Sequence, residues 1–424
     1  MEVSPKSMKW VNSLSTRPSL EAAIDEVARR SQEALQSAPD LAIFFISSTF
    51  ASDFPRVMPL LKDRLGTLPL IGCSGGGIVG TTPTGQTREI EREPGISLTL
   101  ASLPQVKVQT FHLAGEDLPD LDSPPSAWME LLDVESADQP NFMLLADPFS
   151  SRINDLLPGL DFAYPGSVKV GGVTSPGNGE TGSTLFCNYR MHHYGTVGVA
   201  LSGQIILETI VAQGCRPIGN PYLVTEAERN IVLELEEESD TTPVTSGRSS
   251  RVSQKRTPLE LLQNLIQCLN DEDRQLAQHS LFIGVAQNEF KQTLEPGDFL
   301  IRNLLGVDPR LGAIAIGDRI RPGQRIQFHL RDAQTSAEDL SALLERYQRQ
   351  TSTRDYSTAG AFMFSCLGRG EGLYGEADFD SHLFQHYQPK IPLSGFFCSG
   401  EIGPVGNSTF LHGYTSVFGI YRSA

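Results

Sequence analysis

The sequence lacks the marks that most quickly assign a function. Its six cysteines stand singly at 73, 187, 215, 268, 366 and 398, and none forms a Cys-x-x-Cys pair. Neither a disulfide framework nor a zinc site is written there, and a reducing compartment is the simple expectation. His192 and His193 are adjacent, without i,i+4 spacing or a nearby acid, so no metal is assigned, and no cofactor is called for. Long apolar runs are missing too. The run from Leu41 to Ile46 falls far short of the ~20 residues of a membrane span, and the opening MEVSPKSMKW has no apolar signal core. Positive charge is in deficit, with 34 Lys and Arg against 50 Asp and Glu and a net charge of −16. That balance counts against nucleic acid as a partner. Together these absences give the expectation of a cytoplasmic protein with neither membrane nor nucleic-acid contacts.

What is present is an ordinary globular composition, 39% apolar and 20% charged over 424 residues, enough for two or three domains. One spacing occurs three times: a hydrophobic residue, any residue, a glycine, and a second glycine five positions on. The copies are Leu70, Gly72, Gly77; Val170, Gly172, Gly177; and Leu393, Gly395, Gly400. Each reads as a buried strand ending where the backbone must bend tightly or come close to something. Each follows an earlier apolar strand, LAIFFI (41–46), NFMLLA (141–146) or GAFMFSC (360–366), and precedes another, at 95–103, 196–203 and 412–421. The fold class expected is therefore α/β, with repeated strand-helix-strand-strand units forming mixed β-sheets flanked by helices, in two domains. Periods near 100 residues are duplicated modules rather than solenoid repeats.

Between the copies, residues 1–17 read as a loose arm. A helix is expected from Ser19, the N-cap, to Leu35, and another over DFPRVMPLLKDRL, closed by Gly66. Residues 234–257 pass from the acidic ELEEESD to a polar Pro/Ser-rich stretch that cannot bury apolar surface. They divide the chain into an arm and helix (1–40), a first domain (41–235), a mobile linker (236–257) and a second domain (258–424). The second domain opens on a capping box, Thr257 with Glu260. It continues through an antiparallel meander from 299 to 332, and a helix capped by Ser336 follows.

Several residues carry candidate chemistry. Gly72-Cys73-Ser74-Gly75-Gly76 matches the Gly-x-Ser-x-Gly elbow, and Gly75-x-Gly77-x-x-Gly80 matches a dinucleotide fingerprint. Both need a helix next, whereas GIVGTTPTGQT is a poor helix start, so a glycine turn is the better reading. Ser365-Cys366-Leu367-Gly368-Arg369-Gly370 ends a buried strand, where open α/β sheets keep their ligand sites. Arg369 offers a planar fork for a carboxylate; pairing with a structural acid is the ordinary alternative. Glu401, between Gly400 and Ile402, could hold an ammonium group or partner Arg369. Cys366 and Cys398 occupy corresponding places and read as thiol ligands, a redox pair or, more commonly, buried structural cysteines. His412 starts the last strand and reads equally as a core histidine.

The runs FLIRNLLGVDP, QFHLRD, SCLGRG, GFFCSGEIGP and LHGYT together resemble the C-terminal FIST domain, and LIGCSGGG and KVGGVTSPG are similar to the N-terminal FIST domain. FIST stands for F-box and intracellular signal transduction, and the resemblance spans roughly residues 41–422. It implies an intracellular sensory module for small ligands, amino acids among them. Family members are often joined to kinases, chemoreceptor parts or F-boxes. The stretch before the first strand is too short for an F-box, so the protein output partner is left unassigned, as is the oligomeric state. The leading expectation is a non-catalytic sensor. Its ligand would sit where the glycine turns converge, near Ser365, Cys366, Gly368, Arg369, Gly370, Cys73, Ser74, Cys398, Glu401 and His412, with Arg369 facing an anionic group and Glu401 a cationic one. Two alternatives are a hydrolase or thiol enzyme using Ser74, Cys73 or Cys366, and an interaction scaffold using 236–257 as a docking arm.

Overall fold

Three parallel strand pairs, one for each copy of the glycine spacing, form the frame of the first unit. In the computed structural model, which describes residues 7–175, 183–237, 255–288, 291, 293–294, 296–352 and 358–424, Leu41–Ser47 pairs with Leu70–Gly75, Asn141–Ala146 with Lys169–Val173, and Thr358–Cys366 with Leu393–Cys398. Parallel neighbours need a crossover. The helices Phe54–Leu65, Ile153–Ala163 and Phe379–Tyr387 lie in those three connections. An antiparallel strand follows each pair, Ile96–Ser102, Thr196–Gly203 or Ser416–Ser423. A further strand flanks each of these: Lys9–Ser15, Val106–Leu113 and Ile205–Ala212. Lys9–Ser15 corrects the expectation of a loose arm over 1–17, of which residues 1–6 lie outside the described residues. Trp10 and Leu14 are buried in the central core, and that burial holds the segment in the sheet.

No module completes its own sheet. After each second parallel strand the chain crosses to another module and adds a hairpin there. Ile78–Thr81 and Thr87–Ile90 join the third module's sheet beside Leu393–Cys398. Leu185–Cys187 and Arg190–His192 join the first beside Leu70–Gly75. Gly400–Val405 and Ser408–His412 join the second beside Lys169–Val173. Three six-stranded sheets result. Their inner faces share one core, with Ile43, Phe45 and Ile71 from the first, Met143, Leu145 and Val170 from the second, and Phe362, Phe364 and Phe396 from the third. Helices cover the outer faces. Ala23, Ile24 and Val27 pack on the first sheet, Trp128, Leu156 and Leu160 on the second, and Leu340, Leu344 and Phe384 on the third.

The first glycine of each pattern lies inside a strand, not at a bend. A Cβ on Gly72 would sit 2.2 Å from the carbonyl oxygen of Phe44, one on Gly171 1.8 Å from that of Leu144, and one on Gly395 1.9 Å from that of Met363. The glycine is required because the neighbouring parallel strand runs against it. The structural counterpart in the second module is therefore Gly171, one position before the glycine chosen from spacing. Gly177 lies outside the described residues.

The chain divides into two compact units, Met1–Ala212 with Leu340–Ala424, and Gln213–Asp339. In the second unit Arg216–Glu228, Arg325–Leu330, Leu281–Ala286, Phe299–Asp308, Ala313–Ile316 and Ile231–Glu237 pair successively. Arg216–Glu228 also pairs with Ile231–Glu237, which closes the sheet into an antiparallel barrel. The meander expected over 299–332 is thus only partly one. Phe299–Asp308 and Ala313–Ile316 are neighbours, but Arg325–Leu330 pairs with Leu281–Ala286 and Arg216–Glu228 instead. Thr257 and Glu260 form the expected capping box of Pro258–Cys268. Ser336 is not a cap, since the helix Ala333–Thr351 begins earlier and Asp332 accepts from the Thr335 N–H at 2.6 Å. Most of the expected linker, 238–254, lies outside the described residues. Among the described residues no helix is long and apolar enough to cross a membrane.

Candidate functional site

The swapped hairpins bring strand ends from all three modules to one rim of the three-sheet core. Gly76 N donates to Phe397 O at 3.1 Å and Phe397 N to Gly77 O at 2.9 Å. Ser399 N donates to Val173 O at 2.9 Å, and Leu367 N to Cys398 O at 3.0 Å. A Cβ on Gly76 would lie 2.3 Å from Leu367 and 3.1 Å from the Ser175 hydroxyl. Here a pocket of about 240 Å³ opens, lined by Gly76, Glu91, Arg92, Leu367, Arg369, Gly372 and Phe397. Arg92 is 78% exposed in its side chain. Leu367 and Phe397 supply an apolar wall, and Arg369, fully buried, lies at the base. Ser175 Oγ is buried at the Gly76 edge with no hydrogen-bond partner among the described residues, a cost of about 1–3 kcal/mol if nothing ever satisfies it.

Arg369 is held by a structural acid, the ordinary alternative read from the sequence. Its Nε donates to Asp380 Oδ2 at 2.7 Å, and its Nη2 to Asp380 Oδ1 at 3.0 Å and to the Tyr374 hydroxyl at 2.5 Å. Ser365 Oγ approaches the same carboxylate at 3.5 Å. Behind this fork lies Glu89, buried, with Oε1 accepting from Ser381 N at 2.7 Å and Oε2 without a hydrogen-bond partner among the described residues. Burial, reinforced by Asp380, pushes the Glu89 carboxyl up to about 8. Glu91 accepts from Glu371 N at 2.8 Å. Gly370 makes room for it: its φ is +62°, and a Cβ there would meet the Glu91 carboxylate at 2.4 Å.

Glu401 faces the central core rather than the pocket. Its Oε2 accepts from Thr415 N at 3.0 Å, and Cys398 Sγ approaches its Oε1 at 3.6 Å. Burial raises its carboxyl to about 8, while Thr415, the thiols and the Arg369 charge pull the other way. Its counterparts identify it as unusual. Glu401 pairs with Gly172, as Leu185 pairs with Cys73 and Ile78 with Phe396. Where two modules place an aliphatic side chain in the shared core, the third places an acid.

The remaining expected residues fall into two groups. Cys366 and Cys398 are in-register neighbours, and Gly368 N lies 3.5 Å from Cys366 Sγ. His412 is buried opposite Glu401 across the hairpin, with Nε2 3.1 Å from Gly403 O. Cys73 and Ser74, by contrast, are mid-strand. The Ser74 hydroxyl accepts from Thr184 N at 3.1 Å, and burial raises the Cys73 thiol well above its ordinary range. A strand, Ile78–Thr81, follows them where a nucleophile elbow needs a helix. Sequence reasoning missed Glu89, Glu91, Tyr374 and Asp380. Tyr374 and Asp380 lie within eleven residues of Arg369 and were within reach. Glu89 and Glu91 come from about 280 positions away, with no local signal. Among the described residues no group of three or more His, Cys, Asp or Glu side chains could hold a metal ion.

An α/β frame of three modules with exchanged hairpins, together with an antiparallel barrel, defines a modular class of fold. Residues 40–238 match the FIST N domain and residues 258–404 the FIST C domain. The chain belongs to the FIST family, whose domains are associated with sensory and signal-transduction roles and with small-ligand binding. It is 33% identical over 409 residues to an uncharacterized protein of Mycobacterium tuberculosis, covering 96% of this chain and 98% of the other. It is 32% identical over 401 residues to an uncharacterized protein of Mycobacterium bovis, covering 95% of each. Over 50 residues, 12% of each chain, it is 42% identical to the human F-box only protein 22.

Proposed function

We infer that this chain is an intracellular sensory protein that binds a small zwitterion, an amino acid or close derivative, in the rim pocket. The observation that carries the reading is the pairing of unlike charges on one small wall, Glu91 beside Arg92 with Arg369 beneath. A ligand ammonium fits Glu91, a carboxylate fits Arg92, and the apolar part fits Leu367 and Phe397. Glu91 takes the role expected of Glu401, because a group sealed in the core would have to draw a charged ligand out of water with it. The rim belongs to the ends of parallel strands, where open α/β sheets place ligands, and binding there would stiffen the junction of three modules. The ligand signal would pass to a separate protein partner.

The twenty amino acids, with their N-acetyl and amide derivatives, form the screen, read by thermal shift and calorimetry. A free amino acid at a hundredfold excess over its Kd stabilises the fold by ~2.7 kcal/mol, and its N-acetyl and amide forms do not. Arg92→Ala abolishes the gain while leaving the unliganded melt in place. Equal gains in Arg92→Ala and Glu91→Gln would sink this site.

A further inference from the structure

The third module places two thiols where the first module has Ser47 beside Gly75, and an acid where the first has Ile78. Cys366 and Cys398 are directly paired on parallel strands. Neighbouring strands lie about 4.8 Å apart, inside the roughly 4.4–6.8 Å Cα separation that a disulfide spans. Cys398 lies in the shared core with Phe396, Cys366 falls by strand alternation on the same face as Phe362 and Phe364, and both thiols approach Glu401. Their access differs. Cys398 is sealed at 0% exposure, while Cys366 retains 8% and precedes the half-exposed pocket residue Leu367. Cys398 Sγ is otherwise held 3.3 Å from Ser365 O, so it is fixed beside its neighbour.

We propose that Cys366 and Cys398 are a hydroperoxide-oxidised thiol pair, with Glu401 as the proton relay between them. Cys366, the less deeply buried member, attacks the terminal oxygen of the hydroperoxide. The O–O bond breaks, the Cys366 thiol proton passes to the departing oxygen, which leaves as an alcohol, or as water where the oxidant is hydrogen peroxide, and Cys366 becomes a sulfenic acid. The Cys398 sulfur then attacks the Cys366 sulfur and the S–O bond breaks. Glu401 gives its proton to the departing hydroxyl, which leaves as water, and takes the thiol proton in exchange. Two thiols supply the two electrons that reduce one hydroperoxide. The disulfide would tie together the two strands whose ends carry Leu367 and Phe397, so the oxidised protein has an altered rim pocket.

Hydrogen peroxide is the probe, applied to the full chain, followed by alkylation and peptide mass spectrometry without reduction. An intramolecular Cys366–Cys398 link is expected. Cys398→Ser leaves Cys366 as a sulfenic acid that dimedone captures. Glu401→Gln slows the link at least tenfold while dimedone capture at Cys366 proceeds at the wild-type rate. The exposed Cys268 is the internal control. The proposal is overturned if Cys366 and Cys398 stay reduced once Cys268 is fully oxidised. A link that forms equally fast in Glu401→Gln overturns it as well.

Discussion

The first and third modules share a backbone plan and differ in what their inner strands bury. Both pair two parallel strands around a glycine pressed against a carbonyl, and both lend a hairpin to another sheet. The first module lends Ile78 to the common core, and the third lends Glu401. Around that acid the third module adds two thiols, and across its sheet the fork of Arg369 and Asp380. A core of hydrocarbon alone would be easier to fold, since buried charged groups contribute little net stability even when paired. Where one copy of a repeated plan departs from hydrocarbon and the others do not, folding does not require the departure. Local choices that oppose the global fold concentrate at functional places.

The largest effect expected is at the fork. Arg369→Ala leaves Asp380 buried without its cation and should cost about 3–5 kcal/mol, read as a lower urea midpoint with an unchanged slope. The double variant Arg369→Met with Asp380→Leu should recover most of that loss, which would mark the fork as dispensable for folding. If the double variant is as unstable as the single one, the polar network is structural and the contrast between modules loses its meaning. The glycines test the shared part of the plan. Gly72→Ala, Gly171→Ala and Gly395→Ala each drive a Cβ to within about 2 Å of a carbonyl oxygen, and each should cost about 3 kcal/mol. The three losses should agree. A much smaller loss at one glycine would show that its parallel pair can slide apart.

Much of this plan was readable before any coordinates. Buried parallel strands write themselves as continuous apolar runs, so LAIFFI and NFMLLA announced their place. Ser19, Thr257 and Gly66 marked helix ends because capping is a local hydrogen-bond need. The exchange of hairpins was not readable, because nothing in GIVGT or GEIGP names the sheet it will join. Spacing chose Gly172 over Gly171 because a sequence does not record which carbonyl lies opposite. The barrel was hidden for the same reason: closure between Arg216–Glu228 and Ile231–Glu237 is a matter of register and bulges. At the site, Arg369 stood out by its flanking glycines. Glu89 and Glu91 reach it only through the borrowed hairpin, so no spacing within the SCLGRG run points to them.

Taken per pH unit and per carboxyl, the smallest effect expected is a slope with pH, and its sign reports whether Glu89 and Glu401 are held neutral in the folded protein. Glu89 and Glu401 are raised to about 8 in the folded protein, against roughly 4.3 for glutamate in an unfolded chain. Between those values the folded state holds protons that the unfolded state has released. Stability is therefore full below about pH 4 and falls as pH rises toward 8, by up to about 1.4 kcal/mol per pH unit for each carboxyl, and then levels off. Urea midpoints measured from pH 5 to 9 should decline over that window, opposite to the trend of paired surface carboxylates. Glu401→Gln keeps an acceptor for Thr415 N but cannot titrate, so it should remove one carboxyl's share of the slope and leave that of Glu89. If the slope is unchanged in Glu401→Gln, the core acid is already ionised and stabilised by its neighbours. It would then be a charged counterpart of Ile78 and not a neutral one.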